Sequence, residues 1–187
     1  HISVDGNEQS REIDTFLALV DELQSGPEFS RFFSSIRYIE QPMARDVALD
    51  PAIADAMADL SDVKPVIVDE SDSELDTFKR ALSVGYRGIS AKNCKGIYKS
   101  LLNAALARQY TQRSRDGRTY FLTGEDLANA AIVPLHQDLA TLATLGIDNA
   151  ERNGHHYLLG LTHLSADEQA ACLQAHSGLY ASRDGVP

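Results

Sequence analysis

The chain is short of cysteine, of positive charge and of long apolar runs, and each shortage excludes something. Two cysteines, Cys94 and Cys172, in 187 residues are too few for a disulfide framework or a thiolate metal site. A reducing, cytoplasmic setting is therefore the expectation. Seventeen Lys and Arg against 27 Asp and Glu leave a formal net charge of −10, which argues against nucleic acid or an anionic membrane as partner. It does not argue against a small anionic substrate, because a bound divalent cation reverses the local field. No apolar run is long enough to cross a bilayer, and no stretch resembles a signal peptide. Low-complexity segments and long linkers are absent, and no glycine-rich dinucleotide fingerprint follows any apolar run. The length suffices for one domain with a sizeable core.

What is present is a repeated pattern of short apolar runs that end in charge. Pro65-Val66-Ile67-Val68 stops abruptly at Asp69-Glu70-Ser71, which reads as a strand delivering acids at its C-terminal end. Ile2-Ser3-Val4 ends in Asp5, and Ile36-Arg37-Tyr38-Ile39 ends in Glu40. Gly88-Ile89-Ser90-Ala91 ends in Lys92, Tyr120-Phe121-Leu122-Thr123 runs to Glu125, and a last, weakly written strand around Asn149 reaches Glu151. The chain opens directly on a strand, so the expectation is a piece from the middle of a longer protein.

Helical patterns fill the intervals. Ile13, Phe16, Leu17 and Val20 fall at helical spacing between about Ser10 and Leu23, and Gly26-Pro27 stops that helix. Asp50-Pro51 caps the next helix, which carries Ile53, Met57 and Leu60. Ser71 or Asp72 is expected to cap a helix with Leu75, Phe78 and Leu82 that Gly85 ends. Ile97 to Tyr110 reads as amphipathic, with Lys95 and Lys99 solvated. Further helices are expected from about Pro134 to Leu145 and from Ser165 to His176, with a helix-like segment over 126–132. Strand and helix alternating with short connections means parallel strands with right-handed crossovers. The fold class expected is α/β, a TIM-type (β/α)8 barrel present as an incomplete barrel of about six βα units. Functional-looking residues at nearly every strand end favour the barrel over a doubly wound sheet, because a barrel gathers its site at that face.

Val4-Asp5-Gly6-Asn7, Tyr38-Ile39-Glu40-Gln41-Pro42, Val68-Asp69-Glu70-Ser71 and Ser90-Ala91-Lys92, in that order and spacing, resemble the enolase superfamily in its mandelate racemase and muconate-lactonizing branch. They match strands three to six of that family's barrel, and the resemblance runs to about Gly160. It implies that residues 1–187 are part of a C-terminal barrel domain, with an N-terminal capping domain and the first barrel strands outside this chain. It implies that Asp5, Glu40 and Asp69 bind magnesium (Mg2+), that Lys92 is a general base, and that Glu151 contacts substrate. The implied reaction is removal of the proton α to a carboxylate, giving a metal-stabilised enolate. Racemisation, epimerisation, cycloisomerisation or dehydration would follow. The implied partner is a small carboxylic-acid substrate, and the family suggests a homo-oligomer, a dimer or an octamer. A His–Asp dyad of the mandelate-racemase type is absent, because His136 lies inside a helix pattern.

The residues support the chemistry on their own terms. Three carboxylates on separate strand ends suit a hard, oxygen-seeking cation. Deprotonation beside a carboxylate builds charge that such a cation stabilises as it develops; the pairing of a Lys or His base with magnesium is already described for this superfamily. Lys92 must be neutral to accept the proton. Asn7, Gln41 and Glu70 are then groups that orient the ligands, while Glu125 and His155 neighbour the site. Each reading has a plainer rival. Asp5, Asp69 and Glu125 are also suitable helix caps, Lys92 a suitable salt-bridge partner, and adjacent His155 and His156 diverge too far to chelate together. Another metal-dependent barrel lyase or aldolase, or a non-catalytic carboxylate-binding barrel, would use the same residues.

Overall fold

The computed structural model describes residues 1–126, 129–152 and 154–183; the side chains of Asp126 and His155 also lie outside the description. Six strands occur among the described residues: β1 (Ile2–Asp5), β2 (Ile36–Glu40), β3 (Val66–Val68), β4 (Gly88–Ala91), β5 (Phe121–Asp126) and β6 (Ala150–Arg152). The helices are α1 (Ile13–Ser25), α2 (Ser30–Ser35), α3 (Ala54–Val63), α4 (Thr77–Val84), α5 (Ile97–Arg113), α6 (Val133–Leu145) and α7 (Ala166–Ala175). Each strand is followed by a helix, and the paired strands run parallel. This α/β arrangement is the repeating unit of a (β/α)8 barrel.

The chain divides into two compact units, residues His1–Ser90 with Tyr98–Leu122, and Ala91–Ile97 with Thr123–Pro187. In the first, β1 pairs with β2, β2 with β3 and β3 with β4, all in parallel. Val66, Ile67 and Val68 are fully buried, as are Met57 and Leu60 of α3, Phe78 and Ala81 of α4, and Ile89 of β4. A strand covered on both faces must be apolar throughout. That is why β3 reads as an uninterrupted β-branched run. Each of its side chains contributes about 1.5–3 kcal/mol by burial. In the second unit β5 pairs with β6 in parallel. There Gly124 admits α6: a Cβ at that position would stand 2.8 Å from Leu142.

Local signals place several helix ends. Asp50 accepts a hydrogen bond from the Ala52 N–H at 2.9 Å, with Pro51 at the first helical position. Gly85 ends α4 in the left-handed region at φ 111°, where a Cβ would also meet Ala58 N at 2.7 Å. Ser165 and Glu168 form a capping box that starts α7.

Three helical expectations are corrected. The first helix begins at Ile13 rather than Ser10, because the Ser10 N–H and carbonyl are bonded to Pro42 and Ala44. The helix after β3 begins at Thr77, not at Ser71 or Asp72. The side chains of those two residues are taken by Gln41 and Lys99 and cannot cap. In α5 the expected orientation is reversed over its first turns. Lys99, Ser100 and Asn103 are buried, while Tyr98, Leu101 and Leu102 are exposed.

Candidate functional site

The first unit brings strand-end acids side by side. Asp5 and Glu40 are register partners in the β1–β2 pair, so they project to the same side from strands about 4.8 Å apart. Asp69 directly follows Val68, the last residue of β3. Val68 is level with Ile89, which sets Asp69 level with Ser90, and the Ser90 hydroxyl donates to Asp69 Oδ1. Glu40 and Asp69 are each only 3% exposed, whereas Asp5 is exposed.

Two side chains hold these ends in place. Gln41 is fully buried and sits at φ 30°, a strained value for a residue with a Cβ. Its Nε2 donates to the Met43 carbonyl at 2.9 Å and to Ser71 Oγ at 2.7 Å. Its Oε1 accepts from Asp69 N at 3.0 Å and from Ser71 N at 3.4 Å. Both donors and both acceptor positions of the amide are thereby used. Asn7, at φ 45°, grips both oxygens of Asp5, its N–H at 2.8 Å and its Nδ2 at 3.0 Å. Between them Gly6 passes so close to Pro42 that a Cβ would lie 2.5 Å from Pro42 Cα. The turn of the sequence Asp-Gly-Asn is thus fixed by a close approach and not only by local preference.

The rim is dense in negative charge. Glu70 is half-buried and its Oε2 makes no hydrogen bond. Burial pushes its carboxyl up, and the charges of Asp69, Asp5 and Glu8 push the same way. Arg45 binds both oxygens of Glu8 at 3.0 and 3.1 Å. The Glu8 hydrogen bond, then its charge, holds the Arg45 guanidinium above its ordinary value, with Glu70 and Asp69 adding to it. Among the described residues no three His, Cys, Asp or Glu side chains converge on one point. In its chemistry the donor set at the first unit's strand ends nevertheless suits a hard divalent cation, being all oxygen and anionic, and Glu70 beside it keeps a buried carboxylate oxygen without a hydrogen-bond donor.

The second unit holds the other expected residues. Lys92, just before a 3-10 turn over Asn93–Lys95, forms an ion pair with Glu125 of β5, and both are largely buried. Glu125 is the register partner of Glu151 in β6, and Glu151 is half-buried. Arg152 pairs at 2.6 Å with Asp138, which is 1% exposed, on α6. A cleft of about 420 Å³ in this unit is lined by Leu135, Arg152, Leu158, Leu161 and Tyr180 among others. His136 in α6 meets the Tyr180 hydroxyl at 3.1 Å and packs edge-on against His176 at 4.6 Å.

The sequence-expected residues therefore fall into two groups. Asp5, Asn7, Glu40, Gln41, Asp69 and Glu70 share the first unit; Lys92, Glu125 and Glu151 share the second, and the His155 side chain lies outside the described residues. Sequence reasoning missed Ser90 on Asp69, and the Lys99–Asp72 pair at 3.0 Å; Lys99 is buried, not solvated. A signal for Ser90 existed: two residues before Lys92, it is a polar residue within an apolar strand.

No family model matches the chain, and no curated protein matches it. Two solved structures share its fold. One is an L-Ala-D/L-Glu epimerase, 21% identical with a TM-score of 0.52, covering 83% of this chain and 41% of its own. The other is 3-keto-L-gulonate-6-phosphate decarboxylase from Vibrio cholerae, 15% identical with a TM-score of 0.56, covering 94% of this chain and 73% of its own. The likeness shows the fold: a (β/α)8-barrel fold, of which the chain holds six βα units. This chain spans about two-fifths of the epimerase's length.

Proposed function

We propose that this chain is part of a magnesium-dependent enzyme of the enolase superfamily that removes the proton α to a carboxylate of a small acid. The observation that carries the reading is the first unit's rim. Carboxylates end or follow three consecutive strands, and Asn7 and Gln41 hold the Asp5 carboxylate and the Asp69 backbone. Evenly spaced caps would not need such dedicated partners.

In this reading Asp5, Glu40 and Asp69 hold the cation, and Glu70 adds negative charge beside them. The cation, when bound, supplies a Lewis acid that withdraws charge from the substrate carboxylate. Lys92, in its neutral form, accepts the α-proton at Nζ. Glu125, already in contact with that nitrogen, stabilises the ammonium so formed. Glu151 contacts substrate. Return of the proton to the other face would give racemisation or epimerisation, whereas ring closure or loss of water would give a cycloisomerase or a dehydratase. That an L-Ala-D/L-Glu epimerase shares the fold supports the first pair. A soluble, cytoplasmic homo-oligomer, dimer or octamer, goes with this reading, and no helix of the described residues is long and apolar enough to cross a membrane.

The Lys92–Glu125 ion pair favours a second reading. A contacting carboxylate also favours the charged ammonium before reaction, so a barrel that binds a carboxylate ligand on Lys92 without turnover uses the same residues.

Deuterium incorporation in D2O separates the two. The full-length gene product with magnesium would be offered a panel of hydroxy, amino and sugar acids, alongside Lys92→Ala and Asp69→Asn. Exchange at the α-carbon that both variants abolish supports the enzyme. Saturable acid binding without exchange supports the second reading. Neither binding nor exchange removes both.

A further inference from the structure

Lys99 is 7% exposed, although it lies on a helix whose apolar Tyr98, Leu101 and Leu102 stay exposed. The inversion has a specific cause. Lys99 Nζ stands 3.0 Å from the Asp72 carboxylate and donates to the Asp72 carbonyl at 2.9 Å. A buried lysine is tolerated only where a partner compensates its lost hydration. Here it grips the main chain of Asp72 as well as its charge. Asp72 in turn closes a tight turn, its N–H donating to the Asp69 carbonyl at 2.9 Å. Ser71, inside that turn, is held by Gln41. The turn carrying Asp69 and Glu70 is therefore fastened twice within the first unit, by Gln41 from the end of β2 and by Lys99 from α5.

We propose that Lys99 is a positioning residue for the divalent-cation site of the first unit. Through Asp72 it fixes the turn over residues 69–72, so that the Asp69 carboxylate stays level with the ends of β1 and β2. The inference rests on the cation reading given above. Charge adds to the tether: the turn holds three carboxylates in four residues, and Lys99 pairs with the last of them, Asp72. Without that ammonium, the buried Asp72 carboxylate loses a compensating charge and the turn loses its bond to α5, which favours opening of the turn toward water. Loss of a residue that orients a metal ligand costs about 10–100-fold in metal affinity.

The probe is Mn2+, a hard divalent ion whose free fraction is read directly by electron paramagnetic resonance. The chain would be compared with Lys99→Arg, Lys99→Met and the double variant Lys99→Met/Asp72→Asn, with Asp69→Asn as a control. The double variant removes both charges, so its folding does not suffer from a stranded carboxylate; thermal melting and near-ultraviolet circular dichroism check that it folds. The expected result is Mn2+ affinity within a few-fold of the parent for Lys99→Arg, and a loss of about 10–100-fold for the folded variants without the ammonium. A folded variant lacking the Lys99 charge that binds Mn2+ as the parent does overturns the proposal, even if its melting point falls. A parent chain that takes up no Mn2+ overturns the cation reading itself, and this inference with it. Binding lost in Asp69→Asn but kept in Lys99→Met sinks the tether alone.

Discussion

The amide oxygen of Gln41, at the end of β2, accepts the backbone N–H of Asp69, just past the end of β3, at 3.0 Å. One side chain thus sets how far two neighbouring strand ends reach. Gln41→Ala would strand the Asp69 and Ser71 N–H groups in a buried place, each at about 1–3 kcal/mol. A destabilisation of roughly 2–6 kcal/mol is expected from urea unfolding. A loss below about 0.5 kcal/mol, the range of ordinary surface substitutions, would show that the clamp is not needed.

Glu70 makes the rim sensitive to pH. Its carboxyl is held above the ordinary value by burial and then by its acidic neighbours, so the folded chain keeps this proton at pH values where the unfolded chain has released it. Stability from this group is full below the unfolded value. It is lost as pH rises through the raised folded one. Glu70→Gln should therefore be more stable than the parent at pH 7 and equal to it near pH 4. Magnesium, if it binds there, should narrow the gap at pH 7. Thermal melts at both pH values with and without the ion give the answer, and an unchanged difference across pH removes the assignment.

At Gly6 the prediction is steric. A Cβ would come within 2.5 Å of Pro42 Cα, a backbone atom that has no rotamer to yield. Gly6→Ala is expected to cost about 1–3 kcal/mol as an overpacking defect, read as a lowered melting point. Gly117, with nothing within 4 Å of its Cβ position but φ 76°, is the control. Alanine there should be penalised only by its backbone angle.

Lys92→Ala carries two effects that need separating. Removing one partner of a largely buried pair takes the compensating ammonium from Glu125, at about 3–5 kcal/mol. The double variant Lys92→Met/Glu125→Gln should recover most of that stability, while α-proton exchange stays lost. Exchange that persists in the double variant would exclude Lys92 as the proton acceptor.

The sequence showed the strands and their terminal charges because both are local. The β-branched run Val66-Ile67-Val68 is what a strand covered on both faces requires, and Asp69 interrupts it at the point where burial of apolar side chains stops being the only demand. The capping pair Ser165 and Glu168 sits three residues apart, within reach of any reader. The orientation of α5 was not legible. Nothing near Lys99 in the chain announces Asp72, 27 residues earlier, and helix periodicity counts a lysine as a solvated position. Ser71 and Asp72 misled for the same reason. As sequence they are good caps, but their side chains are engaged by Gln41 and Lys99, and the helix waits until Thr77. For Ser90 the signal, a polar residue in an apolar strand, was present, but it gained a meaning only once the Asp69 carboxylate was found beside it.

The segments that leave β1 and β2 run alongside one another beyond the strands themselves. Gly6 N–H meets the Glu40 carbonyl at 2.8 Å, Glu8 N–H the Gln41 carbonyl at 2.9 Å, Ser10 N–H the Pro42 carbonyl at 3.0 Å, and Ala44 N–H returns to the Ser10 carbonyl at 2.7 Å. The two loops are laced together rung by rung, so neither can change length alone. An insertion between Asp5 and Ser10 slides every later rung out of step unless a matching residue enters between Glu40 and Ala44. Variation at this rim must therefore come by exchange of side chains or by paired insertions, and a library built to alter its ligand preference should treat the two loops as a single cassette.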